Sequence, residues 1–297
     1  MGTDEIGGDA LMACYQTHID PALQGQRLDA ALRRTFPELP SWALRDAFTH
    51  RDVKVDGKRV KADLRVHGGE LVQVYVMEQS PALDVVYEDA NLLLINKRPG
   101  ISVTEDAGGG ATLTDMVARY ARQRGEAVSP QPVHRLDNQT SGLVLFAKNQ
   151  EAQAILEDAF RERLPKKEYT CLVRGIPKPP QALCRAYLTK DAAAARVTIH
   201  DHETPGSKPI ATAYETLEAG PISRLRVELI TGRTHQIRAH MAALGHPLLG
   251  DDVYGDRAFN RANKARRLML CATRLTLYTG GRLPEVEGHT FTIPCPF

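Results

Sequence analysis

The chain has 297 residues, of which 42% are hydrophobic and 25% are charged, a composition that is ordinary for a folded protein. The formal net charge is only +2, which excludes a protein that is basic all over, so any nucleic-acid-binding surface has to be local. The five cysteines form no C-x-x-C pair, which argues against a disulfide framework or a zinc knuckle and favours the cytoplasm. The first residues do not resemble a secretory signal, and no apolar run reaches the roughly 18 to 20 residues that span a membrane.

The first part of the chain predicts a tail and a small domain. Glycine and acidic residues dominate residues 1–14, which predicts a flexible tail. Residues 15–78 predict a short strand, two helices, a hairpin and a closing strand, because RLDAALRRTF and SWALRDAFTH have apolar residues at helical spacing. The dipeptide Asp56-Gly57 lies between two alternating runs and predicts a tight hairpin turn. Residues 79–84 are the expected linker.

Residues 85–297 predict a larger α+β domain. Its strand and helix patterns do not alternate regularly, which favours a mixed, largely antiparallel sheet flanked by helices. The continuous apolar run GLVLFAK predicts a strand that is buried on both faces. TLTDMVARYARQRG and QEAQAILEDAFRERL predict helices, and THQIRAHMAALG predicts another that stops at Gly245.

The small domain carries a local cluster of basic residues. Residues 27–70 contain ten bases against seven acids, and several bases lie around the end of the second helix and the hairpin. The candidate phosphate contacts are Arg45, Arg51, Lys54 and Lys58. Charge alone does not separate an RNA-binding face from a solvated charged surface. The motifs RLD at 27–29, VKVDG at 53–57 and GGELVQV at 68–74 resemble the S4 RNA-binding domain, which implies binding of structured RNA through its shape and backbone.

The stretch HRLDNQTSGLVLFAKN, residues 134–149, places Asp137 directly ahead of the apolar strand. A carboxylate held by rigid backbone at the rim of a sheet suits a catalytic group. The same aspartate can instead cap a turn, which is the commoner role for an isolated aspartate in such a loop. Gly142 permits close packing or an unusual backbone angle at the strand. This stretch by itself leaves both roles of Asp137 open.

A second constellation, GRTHQIRAHMAALGHPLLGDDVYG at residues 232–255, is dense in arginine, histidine and glycine. Arg233 stands at a helix start, where the helix dipole does not stabilise a positive charge, so a carboxylate or a phosphate is expected to hold it. His235 and His240 are five residues apart, not the four of H-E-x-x-H, and no acid lies between them. These histidines therefore predict helix-capping or RNA contacts, and not a metal site.

The two constellations, with KEYTCLV at 167–173 and NKRPG at 96–100, resemble the RluA-type pseudouridine synthases over residues 83–296. An S4-like unit ahead of such a domain is the arrangement of the members that act on large-subunit ribosomal RNA. The resemblance implies an isomerase that converts uridines in structured RNA to pseudouridine, as a monomer without metal, organic cofactor or membrane partner. The alternatives are a tRNA pseudouridine synthase and an RNA-binding assembly factor without catalysis.

The resemblance also implies roles for single residues. Asp137 is the nucleophile that enables cleavage of the N1–C1′ bond, and attack at C1′, attack at C6 and a glycal route all stay open. Tyr169 stacks under the base and is the candidate to remove the C5 proton. Arg233 pairs with Asp137 and keeps it ionised. Arg135 enters the space that the flipped nucleotide leaves, and Leu270 lines the apolar pocket or is an ordinary core residue.

Residues 257–274 form the strongest local basic block, with six bases and no acid. This block predicts contacts with RNA phosphates near the active site, for which Arg266 and Arg267 are the candidates. The alternative is an exposed basic helix without a partner.

Overall fold

The computed structural model describes residues 12–37, 39, 43–44, 47–48, 51–77, 83–104, 112–191 and 193–297. The chain divides into two compact units. The first comprises Met1–Leu83 and Thr104–Tyr120, and the second comprises Asp84–Val103 and Ala121–Phe297. Residues 104–120, which the sequence pattern placed in the large domain, therefore group with the first unit.

The first unit contains a four-stranded antiparallel sheet with the order β1-β4-β2-β3. Its elements are β1 (Met12–His18), α1 (Leu28–Thr35), β2 (Val53–Val55), β3 (Lys58–Arg59) and β4 (Leu71–Met77), with a 3-10 turn at Pro21–Leu23. The predicted hairpin is confirmed, because Asp56 and Gly57 connect β2 to β3 with φ angles of 46° and 75°.

Two expectations for the first unit need comment. Residues 12–14 are not part of a loose tail, because β1 begins at Met12 and pairs there with residues 75–77 of β4. Of the second predicted helix, residues 43–44 and 47–48 are helical, whereas Arg45 lies outside the described residues. The buried faces of α1 and the sheet share one core, which includes Leu28, Leu32 and Val74.

The second unit is built on an eleven-stranded sheet with the order β11-β10-β12-β13-β9-β14-β8-β6-β5, to which β15 adds on β14 and β7 adds on β8. The strands are β5 (Val85–Glu88), β6 (Leu92–Lys97), β7 (Gln131–Pro132), β8 (Ser141–Ala147), β9 (Lys166–Arg174), β10 (Gln181–Asp191), β11 (Arg196–His200), β12 (Lys208–Glu218), β13 (Ile222–Leu229), β14 (Leu270–Thr276) and β15 (Thr290–Thr292). Only the pair of β8 and β14 is parallel among the described strands, so the expected mixed, largely antiparallel sheet is confirmed.

The remaining helices are α2 (Leu113–Gln123), α3 (Gln150–Glu162), α4 (Gln236–Ala243) and α5 (Arg257–Ala262), with a 3-10 turn at Pro284–Val286. The predicted end of α4 is confirmed, because Gly245 follows it with a φ of +86°. No helix in the described part of the chain is long and apolar enough to cross a membrane.

Strand β8 is buried at every one of its positions, as the apolar run predicted. Leu143 and Leu145 belong to a core that also contains Leu156 of α3 and Leu275 of β14. Because β8 is packed on both faces, the loop that carries Asp137 leads into a firmly held strand. The fold therefore supplies the rigid rim that a catalytic carboxylate needs.

Candidate active site

Asp137 lies in the loop between β7 and β8, where the backbone N–H of Thr140 donates to the carbonyl of Asp137 at 3.0 Å. The next carbonyl, that of Asn138, accepts from the Lys97 Nζ at 3.0 Å and from the backbone N–H of Gly100 at 2.7 Å. Lys97 is 1% exposed, and its ammonium also donates to the carbonyl of Ile101 at 2.8 Å. The NKRPG turn thus clamps the Asp137 loop through a buried charge that is fully used for backbone hydrogen bonds.

The carboxylate of Asp137 is half-buried and faces the helix α4. Its Oδ2 atom lies 3.6 Å from Nη1 of Arg238 and 3.9 Å from Nε2 of His235. Arg238 is itself held by Asp251 through two parallel hydrogen bonds of 2.7 and 2.9 Å, and both side chains are buried. Burial alone would raise the pKa of Asp251, but the Arg238 hydrogen bonds and two backbone N–H donors hold that pKa below its ordinary value. Arg238 is therefore a fixed positive charge beside Asp137.

The prediction that Arg233 pairs with Asp137 is wrong. Within the described residues, the basic side chains within 4 Å of the Asp137 carboxylate are those of Arg238 and His235. Arg233 is exposed and precedes α4, and its backbone N–H donates to Oε1 of Gln236 at 3.1 Å. The helix begins at Gln236, two residues after the predicted start, so Arg233 lies three residues ahead of it. The second arginine of GRTHQIR, Arg238, lies on the inner side of the helix.

The polar side chains of α4 fix this helix on the sheet. The buried amide of Gln236 donates to the carbonyl of Ala211 at 3.1 Å and to Oγ1 of Thr212 at 3.0 Å, and it accepts from Oγ1 of Thr231 at 2.8 Å. His240 also contacts Oγ1 of Thr212, at 3.1 Å. These hydrogen bonds hold the helix that carries Arg238 against β12. In the part of the chain that the structure describes, no group of three His, Cys, Asp or Glu side chains could hold a metal ion.

Tyr169 lies in β9 and is 6% exposed. Burial, and then the negative charge of Asp137, raise the pKa of its phenol well above the ordinary value. The phenol is therefore protonated at neutral pH. Leu270, the first residue of β14, is buried opposite Cys171 of β9, two residues along that strand from Tyr169.

The structure places the other candidate residues on the surface of both units. Arg135, Arg266 and Arg267 are exposed in the second unit, with Arg266 and Arg267 between α5 and β14. In the first unit Arg51 and Lys58 are exposed, and the Lys54 ammonium lies 4.9 Å from the ring centre of Tyr75.

Four residues of the site were not singled out from the sequence: Arg238, Asp251, His235 as a neighbour of Asp137, and Tyr254, whose hydroxyl lies 2.9 Å from Nδ1 of His235. A usable signal was present for the first pair. An arginine on a helix and an acid at the next glycine turn are the residue types of a buried ion pair. No local sequence pattern predicts the contacts of His235 and Tyr254.

His134, at the start of the Asp137 loop, accepts a hydrogen bond at Nε2 from the backbone N–H of Leu145 at 3.2 Å and stacks on Phe160. Burial, and then the charge of Lys167, lower the pKa of His134 from 6.5 to about 4. Because the unfolded chain binds this proton at the higher pH, the stability contribution of His134 is complete above pH 6.5 and is lost as the pH falls towards 4.

We expect the replacement of His134 by glutamine to remove this acid sensitivity, because an amide oxygen can accept the same N–H without titrating. The free energy of unfolding, measured with urea at pH 7 and pH 4.5, is expected to fall by up to about 3 kcal/mol more in the wild type than in the variant. Equal losses in both proteins would show that His134 does not titrate in this way.

The comparisons with known proteins agree with this geometry. Residues 91–243 match the family model described as RNA pseudouridylate synthase. The chain is 34% identical to a Yersinia pestis protein named ribosomal large subunit pseudouridine synthase D, covering 89% of this chain and 87% of the relative. It is 33% identical to the Vibrio vulnificus ribosomal large subunit pseudouridine synthase C, covering 82% and 80%. The solved structure of human RNA pseudouridylate synthase domain containing 1 superposes with a TM-score of 0.60 at 29% identity, covering 74% of this chain and 87% of that one. The chain therefore belongs to the RNA pseudouridylate synthase family.

Proposed function

We propose that this protein isomerises uridine to pseudouridine in structured RNA, with large-subunit ribosomal RNA as its substrate. The observation that carries the proposal is the setting of Asp137: a half-buried carboxylate on a clamped loop, beside a buried arginine and close to a buried tyrosine. The relatives named as large-subunit pseudouridine synthases support the choice of substrate.

The arrangement suits a carboxylate nucleophile. The guanidinium of Arg238 lies beside the Asp137 carboxylate and orients it, and Asp251, the second carboxylate on Arg238, holds that guanidinium in place. Attack of Asp137 on the flipped uridine allows the N1–C1′ bond to break. The uracil then rotates and C5 bonds to C1′, the bond between Asp137 and the substrate breaks and frees the carboxylate, C5 loses its proton, and N1 gains one. The reaction is redox-neutral, so the proposal includes no organic cofactor.

Tyr169 is proposed to support the base. Its buried position in β9 and the electrostatic effect of Asp137 on its phenol support this role, and Leu270 lies on the neighbouring strand β14. The raised pKa disfavours a phenolate, so Tyr169 is a poor base in this environment. If Tyr169 takes the C5 proton, substrate binding has to lower the pKa of the phenol first.

RNA binding is proposed to use basic side chains at the surface of both units. These are Arg51, Lys54 and Lys58 in the S4-like unit, and Arg135, Arg266 and Arg267 in the catalytic unit. Such contacts position the RNA without reading its sequence, and they weaken as salt rises. The proposal is for a monomer that acts in the cytoplasm, where the five free cysteines would stay reduced.

Release of tritium from C5 of uracil tests the function directly. We expect the wild type to release tritium from transcribed large-subunit rRNA labelled at C5. Asp137→Asn keeps the size of the side chain but loses the charge and the nucleophile, and is expected to lower the rate by at least about a thousandfold. RNA affinity, measured by filter binding, is expected to change little.

The matched control is Asp201→Asn, which removes a carboxylate that is 92% exposed, and it is expected to retain the wild-type rate. Tritium release from tRNA but not from rRNA would show that tRNA, and not large-subunit rRNA, is the substrate. Binding of both RNAs with no release from either would refute the enzyme and support an assembly factor.

A further inference from the structure

Tyr254 connects the edge of the sheet with the surroundings of Asp137. It follows Asp251 and Asp252, and the guanidinium carbons of Arg196 and Arg238 lie 5.6 and 5.4 Å from the centre of its ring. Arg196, the first residue of β11, also donates to the carbonyl of Val253 at 2.8 Å. The ring is thus fixed between a strand of the hairpin β10–β11 and the arginine that pairs with Asp137.

The hydroxyl of Tyr254 has two partners. Its oxygen accepts from the backbone N–H of Val197 at 2.9 Å. Nδ1 of His235 lies 2.9 Å from the same oxygen. Since a phenol has one hydrogen to donate, the remaining question is which of the two groups, the hydroxyl or the imidazole, supplies the hydrogen between them.

The charges around His235 answer this question. Its other nitrogen, Nε2, lies 3.9 Å from the Asp137 carboxylate, which favours a hydrogen on Nε2. Burial lowers the pKa of His235, against the opposing effect of Asp137, Asp251 and Asp252 and with the help of Arg238, so the ring is neutral at pH 7. In a neutral ring with Nε2–H, Nδ1 is an acceptor, and the hydroxyl of Tyr254 is then the donor to it.

The backbone supports the same arrangement. His235 has a φ of 53°, in the left-handed region that residues other than glycine rarely adopt. Such a conformation persists only where surrounding contacts hold it, and it clusters at functional sites. Here it directs the imidazole between Tyr254 and Asp137 at the start of α4.

We propose that Tyr254 is a positioning residue of the Asp137 site, which fixes the tautomer of His235 so that a neutral N–H faces the carboxylate. This inference rests on the proposed role of Asp137 as nucleophile. At 3.9 Å the N–H acts on the carboxylate as a dipole and not through a hydrogen bond, so it directs the carboxylate without adding a second full positive charge, which would weaken the nucleophile. Arg238 then supplies the charge, and the pair Tyr254–His235 supplies the direction.

The test is Tyr254→Phe, which removes the hydroxyl and keeps the ring beside both arginines. The single-turnover rate of pseudouridine formation is expected to fall about tenfold, while RNA affinity stays unchanged. The matched control is Tyr214→Phe, which removes a hydroxyl that donates to the carbonyl of Pro179 at 2.9 Å, and it is expected to keep the wild-type rate. In a His235→Gln background, Tyr254→Phe is expected to cause no further loss, because Tyr254 acts through His235.

A second readout does not depend on activity. Nitrogen-15 NMR of the histidine rings, assigned with His235→Gln, is expected to show the Nε2–H tautomer for His235 in the wild type and a mixture in Tyr254→Phe. A wild-type ring with its hydrogen on Nδ1, or a Tyr254→Phe variant with unchanged tautomer and rate, overturns the inference. If the wild type modifies no RNA, the proposed function fails, whereas the NMR result still decides whether Tyr254 fixes His235.

Discussion

Arg238→Met is expected to reduce pseudouridine formation by about a thousandfold, whereas Arg233→Met is expected to leave it within about threefold at saturating RNA. The reason is the geometry at Asp137: Arg238 lies 3.6 Å from the carboxylate, and Arg233 is exposed ahead of α4. The two variants remove the same side chain from one motif, so they separate the role of the buried arginine from that of a surface charge. Saturating RNA removes any effect of Arg233 on affinity.

Arg238→Met also leaves Asp251 buried without its partner, which typically costs about 3 to 5 kcal/mol. Arg238→Lys keeps the charge but loses the planar pair of hydrogen bonds, and it is expected to fold and to retain a rate between those of Arg238→Met and the wild type. Rates are to be compared only for variants whose thermal unfolding shows that they are folded at the assay temperature. If a folded Arg238→Lys variant has less than one thousandth of the wild-type rate, a positive charge at this position is not sufficient for activity, and the geometry of the guanidinium is required. A folded Arg238→Met at the wild-type rate would contradict the role of this arginine.

The error about Arg233 shows where sequence reasoning reached its limit. The motif contains two arginines, and the resemblance assigned the pairing with Asp137 to the first of them. Arg233 precedes the helix both in the predicted and in the observed structure. The hydrogen bonds of Gln236 hold the helix on β12, and in that position Arg238 faces Asp137, 101 positions away in the chain.

Features encoded by neighbouring residues were predictable. The turn at Asp56-Gly57, the buried strand β8 and the end of α4 each depend on a few consecutive residues, and the structure confirms them. The contact between Tyr254 and His235 and the fixation of the Asp137 loop by Lys97 depend on how distant segments pair. Nothing in the local pattern of either segment specifies its partner, so only the fold reveals these contacts.

Gly142 was predictable only in part. Its sequence context indicated close packing or an unusual backbone angle, but not the segment against which it packs. In the structure its φ is +113°, and a Cβ atom there would lie 2.3 Å from the carbonyl oxygen and 2.5 Å from the nitrogen of Ala272. Both atoms are backbone atoms of β14, in the one stretch where β8 and β14 pair in parallel among the described strands. Gly142 therefore allows β8, the strand that follows the Asp137 loop, to approach β14 closely.

Gly142→Ala is expected to destabilise the protein by more than about 4 kcal/mol, because backbone cannot move aside without breaking the pairing of β8 with β14. The matched control is Gly245→Ala, since Gly245 also has a positive φ, +86°, but has no atom within 4 Å of an added Cβ. It is expected to cost about 1 kcal/mol, the strain of the left-handed conformation alone. Urea unfolding of both variants measures the difference. If Gly142→Ala unfolds at the same urea concentration as Gly245→Ala, β8 and β14 do not approach as closely as the structure shows. The close packing of β8 against β14 could then no longer be the source of the rigid support that we assign to Asp137.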